Sequence, residues 1–153
     1  MNLILEILRW VGVAVGLFLA FSYQEPRQQF SVLCFFTVVS VAGLTGIESL
    51  FFGEKASQQS GYGPGRAYQR QSGMNNLALA AATLLIYLFG WGVQAKATVM
   101  FVLLIFLVFS AVNHAYTALK ENNKSIKNLL RPFMTAALLG MVLPFLVRAL
   151  VQD

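Results

Sequence analysis

Five apolar stretches, each close to the length that crosses a bilayer, limit what this chain can become. A helix rises about 1.5 Å per residue, so a hydrocarbon core of about 30 Å takes around 20 residues. The stretches cover 3–23, 30–52, 77–93, 97–119 and 129–151, of which 77–93 is the shortest. In lipid every backbone N–H and C=O needs an internal partner, which leaves helices or a closed barrel. The runs are continuous rather than alternating, as in MFVLLIFLVFSAV from Met100 to Val112. That pattern points to helices. The expected fold is all-α, an integral membrane helical bundle of about five transmembrane helices in a single domain, 1–153.

Composition argues the same way. Hydrophobic residues make up 58% of the chain and charged residues 11%, whereas a soluble domain carries about 25% charge to cover its surface. The first stretch has Arg9 ahead of an apolar run, Val11 to Phe21, with small Ala20 and Ser22 near its end. It imitates a signal peptide, and the expectation is a retained helix.

The net charge of +5 comes from basic residues between apolar runs, where anionic headgroups attract them. No basic stretch interleaved with aromatics is present, so nucleic acid is not an expected partner. With five crossings, Arg9, Lys55, Arg66, Arg70, Lys120, Lys124, Lys127 and Arg131 fall on one side, and Arg27, Lys96 and Arg148 on the other. The positive-inside rule then places the protein in the cell membrane (the inner membrane of a Gram-negative cell), with a cytoplasmic N-terminus and an external C-terminus.

The stretch 53–73, GEKASQQSGYGPGRAYQRQSG, is expected to be a long cytoplasmic loop. Its Gly61-Tyr62-Gly63-Pro64-Gly65 lacks the Gly-Lys-Ser/Thr ending of a phosphate cradle. Tyr62, Arg66, Tyr68 and Arg70 are loop candidates, the arginines for contact with lipid phosphate. Pro144 is expected to kink the last helix. Small-residue faces at Gly12/Gly16, Ala42/Gly46, Ala111/Ala115 and Ala136/Gly140 suit close helix packing, within the chain or in an oligomer.

Polar groups at membrane depth are the candidates for function, because they are costly there unless paired or hydrated. Glu48, Asn75, Asn76, Asn113 and His114 fall at one end of three successive helices. One reading is a polar layer that binds a ligand, cation or proton. The other is that Glu48 reaches the headgroups and His114 makes a structural hydrogen bond between helices. Haem ligation by the single histidine would need a second subunit or a well-placed methionine. No catalytic set or metal site is readable, and no cofactor is expected. Cys34, the lone cysteine, excludes an intrachain disulfide and reads as a packing residue.

From Glu48 onward the chain resembles a family of small prokaryotic membrane proteins classed as a domain of unknown function. The matching features are Glu48, Phe52-Gly53, Gly61-Tyr62, Tyr68-Gln69, Gly73 and Asn76-Leu77-Ala78, with His114 and Asn122-Asn123 further on. Departures stand at Arg66-Ala67, Gln71 and Asn113. The resemblance implies a shared membrane fold and adds weight to Glu48, Gln69 and His114, but brings no activity.

The function expected from these features is a non-enzymatic helix-packing or accessory subunit of a membrane assembly. Its partners would be the lipid bilayer and further membrane subunits or copies of itself. The alternative is a small transporter or channel that uses the layer around Glu48 and His114.

Overall fold

The computed structural model describes residues 2–59, 61 and 66–151, apart from the side chains of Asn2 and Arg66. Five helices follow one another up and down: Asn2–Ala20, Pro26–Gln59, Arg66–Leu88, Val93–Lys120 and Ile126–Val151. There is no strand among the described residues. Four of the helices, all but the third, are long and apolar enough to cross a membrane. The third opens on the polar run RAYQRQSGMNN and becomes apolar from Leu77.

Local sequence explains where the helices start and stop. Glu25 caps the second helix, its carboxylate accepting from the N–H of Gln28 at 2.7 Å, and Pro26 follows at the first turn. The third helix ends at Leu88, and Gly90, at φ 65°, closes it in a Schellman-type turn with Trp91 N–H donating to Ile86 O at 2.9 Å.

The expected long loop is the clearest correction. Residues 53–59 continue the second helix and 66–73 belong to the third, so the connection is short. At 34 residues the second helix is about 51 Å long, and about 20 Å of it extends past a 30 Å hydrocarbon layer. A polar helix needs no apolar residues once it has left lipid. Tyr62 lies outside the described residues. Elsewhere the boundaries differ by a few residues, the third helix ending at Leu88 rather than 93.

The second helix changes partners along its length. Its first half packs against the fourth and fifth helices, and its second half against the third. Between them lies a π-turn, Val39–Gly43, a distortion that rotates the helix face and recurs at functional sites. The dry core surrounds the first half: Phe30, Leu33, Val38, Met100, Leu103, Val142 and Leu146 are buried there.

Glycines bring the helices close. A Cβ on Gly12 would stand 2.4 Å from Ser40 Cβ, and one on Gly46 would stand 2.9 Å from the carbonyl oxygen of Gly73. Two of the expected small-residue faces, Gly12/Gly16 and Ala42/Gly46, are thereby used inside the chain. Ala136 and Gly140 face outward.

Large apolar side chains cover the outside, among them Leu3, Phe18, Leu88, Phe101, Phe109, Phe133 and Val147. Water does not solvate such an exterior well, and it is compatible with a membrane location.

Candidate functional site

Below the π-turn, where the first three helices part from the last two, lies a cavity of about 510 Å³. All five helices line it. Its apolar wall is formed by Trp10, Val13, Val41, Leu103, Leu107 and Leu138, and its polar wall includes Glu6, Arg9, Glu48, Gln69, Asn113, His114 and Arg131. The polar residues come from the end of the bundle where the chain starts. There the first, third and fifth helices begin, and the second and fourth end.

A four-member charge network runs along the wall. Arg9 donates through Nη2 to Glu48 Oε2 and through Nη1 to Glu6 Oε2 at 2.7 Å. Arg131 Nη2 approaches the same Glu6 oxygen at 3.5 Å. The Arg9 and Glu48 side chains are 5% and 9% exposed, so this pair is effectively buried. Arg9 Nε is buried without a hydrogen-bond partner among the described residues. A buried ion pair is seldom more stabilising than well-packed apolar residues, because both charges lose their hydration. Such a pair is therefore weak evidence for stability, and here it lies on the wall of the cavity.

The second polar centre is Asn128, fully buried at the start of the fifth helix. Its Nδ2 shares two hydrogens among His114 O at 3.1 Å, Thr117 Oγ1 at 3.1 Å and Asn123 O at 2.8 Å. With the amino group so placed, Oδ1 faces His114 Nδ1 at 2.5 Å and accepts a hydrogen bond from it. Asn122, at φ 55°, turns the chain between the fourth and fifth helices, and the N–H of Asn123 donates back to Thr117 O at 3.1 Å. Asn128 thus holds the two helices together and fixes the ring of His114 at the cavity wall.

Of the candidates named from sequence, Glu48, Tyr68, Gln69, Asn76, Asn113 and His114 line this cavity. Asn76 is buried and donates to Ser72 O at 2.9 Å. Asn75 and Arg70 are exposed and lie outside the lining. Arg66 opens the third helix, and its side chain is outside the described residues.

Sequence reasoning missed Glu6 and Arg9, and also Arg131 and Asn128; the arginines read only as basic residues beside the headgroups. One signal was available for the first two. Glu6 and Arg9 are three apart in an otherwise apolar segment, a spacing that puts both on one helix face.

The opposite end of the bundle holds a smaller polar cluster. Lys96 Nζ donates to Ser31 Oγ at 2.7 Å and sits 4.6 Å from the centre of the Tyr87 ring, whose hydroxyl donates to Ser31 O. Cys34 is buried beside them, its thiol donating to Lys96 O at 3.3 Å. These contacts tie the second, third and fourth helices together. Among the described residues no three His, Cys, Asp or Glu side chains converge as metal ligands.

A family model described as a family of unknown function (DUF6790) matches residues 1–152. No curated protein and no solved structure matches the chain significantly.

Proposed function

The chain belongs to the DUF6790 family, whose function is unknown, and from the chemistry of its cavity we propose a membrane-embedded binding protein of the small-transporter class. It takes a small polar ligand into the cavity from the end of the bundle where the chain begins. The observation that carries this reading is the Arg9–Glu48 pair, buried in the wall of a cavity of about 510 Å³ lined by all five helices. Pockets of some 300–1,000 Å³ with a mostly apolar lining and a few convergent polar groups are typical small-molecule sites. Charged groups held at membrane depth are, by default, parts of substrate or ion pathways.

In the same proposal the mouth faces the cytoplasm of a cell membrane and the C-terminus is external. The eight-to-three division of basic residues supports this orientation.

A second reading keeps the protein as an accessory subunit or homo-oligomer that acts through helix contacts. It is favoured by the outward face of Ala136 and Gly140, where a Cβ on Gly140 would meet nothing within 4 Å.

Accessibility tests the leading reading. In a Cys34→Ala background, Ser110→Cys places a thiol on the cavity wall. A membrane-impermeant maleimide should label it in oriented vesicles from the cytoplasmic side alone. No labelling from that side, in protein that is labelled once denatured, would remove the open cavity and the function built on it.

A further inference from the structure

We propose that the ligand of this cavity is a zwitterion of zero net charge with an apolar substituent, its anionic end on Arg131 and its ammonium on Glu48. This inference rests on the binding function proposed above and specifies the ligand class.

Charge balance is the first argument. The wall carries two arginines, Arg9 and Arg131, and two glutamates, Glu6 and Glu48, so the formal charges cancel before any ligand enters. A net-charged ligand would leave one uncompensated charge beside the buried Arg9–Glu48 pair, where such charges are costly. A ligand carrying one charge of each sign leaves the sum at zero.

Unused bonding capacity is the second. Among the described residues Arg131 makes one long contact, 3.5 Å to Glu6, although a guanidinium has five N–H donors. Glu48 gives Oε2 to Arg9, and its Oε1 accepts from no donor among the described residues. The open donors and the open acceptor belong to different helices, the fifth and the second. In this half of the bundle those helices are separated by the cavity. A molecule with two charged ends can bridge them.

The third argument is the apolar wall. Trp10, Leu103, Leu107 and Leu138 offer surface for a hydrocarbon substituent but no hydrogen bonds. An α-amino acid with an apolar side chain has the required groups, and so does the aminoethyl phosphate headgroup of phosphatidylethanolamine with its chains. Both sources present an ammonium, an anion and a hydrocarbon part.

The test uses the full chain in phosphatidylglycerol nanodiscs, with thermal unfolding as the readout. Leucine, 4-methylpentanoate and 3-methylbutylamine share one apolar tail and carry the zwitterion, the anion and the cation respectively. A parallel arm replaces half of the lipid with phosphatidylethanolamine. The expected result is a rise in Tm of about 5 °C or more with leucine at saturation, or with phosphatidylethanolamine. The arm that responds identifies the source. Neither single-charge analogue should match it. Arg131→Gln and Glu48→Gln should abolish the rise, and Asn75→Ala, outside the cavity, should keep it. If Glu48→Gln does not fold, the partly exposed Arg131→Gln decides.

An equal rise with either single-charge analogue, or no rise in either arm, overturns the zwitterion. The Ser110→Cys labelling is independent of ligand identity, so it shows separately whether the open cavity itself survives.

Discussion

Arg9 and Glu48, on successive antiparallel helices, meet as an ion pair buried on both sides, and Glu6 closes around Arg9 from one turn earlier. Removing one member leaves the other charge buried alone, which costs about 3–5 kcal/mol, whereas replacing both by apolar residues is often neutral. Arg9→Met should therefore lower unfolding stability in detergent strongly, and Arg9→Met with Glu48→Met should recover most of the loss. A double variant as unstable as the sum of the singles would contradict direct pairing.

Gly46 and Gly73 set the distance between the second and third helices. Gly46→Ala pushes a methyl group against Leu77 and the Gly73 carbonyl, at 2.6 and 2.9 Å. Overpacking of this kind typically costs about 1–3 kcal/mol. Gly140→Ala meets nothing and should be neutral or stabilising by up to about 1 kcal/mol through helix propensity. Thermal unfolding of the two variants side by side checks the ordering. Loss of an oligomer in Gly140→Ala, seen by light scattering, would favour the accessory-subunit reading.

Asn128→Ala removes an amide whose two N–H groups serve three acceptors, and with it the acceptor of His114. At about 1 kcal/mol per bond, with a further penalty for buried groups left unpaired, the expected loss is about 2–4 kcal/mol. Amide hydrogen exchange should locate the loosening at the end of the fourth helix and the start of the fifth. Exchange spread evenly over the molecule would contradict the local role.

The proposed orientation has its own check. A reporter active outside the cytoplasm should work when fused to the C-terminus and fail in the 121–125 connection. The reverse pattern would invert the assignment made from basic residues.

Much of this arrangement was legible in the sequence, for physical reasons. Glu48, Asn113 and His114 each interrupt an apolar run, Asn76 directly precedes one, and alternating helices carry all four to one end of the bundle. Their meeting in one cavity follows from that parity. Arg9 was not legible as their partner. Its match with Glu48 depends on how the first two helices slide together, and this is set where Gly12 receives Ser40 and Gly16 receives Phe36. The π-turn at 39–43 shifts that match by one residue and leaves no hydropathy signal. The stretch 53–73 was misread because hydropathy reports where a chain leaves lipid, not where its helix ends. Asn128 ends the polar run KENNKSIKN between two apolar stretches, which carries no sign of burial, yet it is fully buried.

The claim on which the account depends is that Arg9 and Glu48 touch within the bundle when the protein is in lipid. Solid-state NMR on protein reconstituted in bilayers can measure this, using dipolar coupling between ¹⁵N-labelled arginine and ¹³C-labelled glutamate, with Glu6→Gln present to remove the second partner. The account predicts a strong coupling that disappears in Glu48→Gln. A folded protein with no coupling between these two side chains would contradict it.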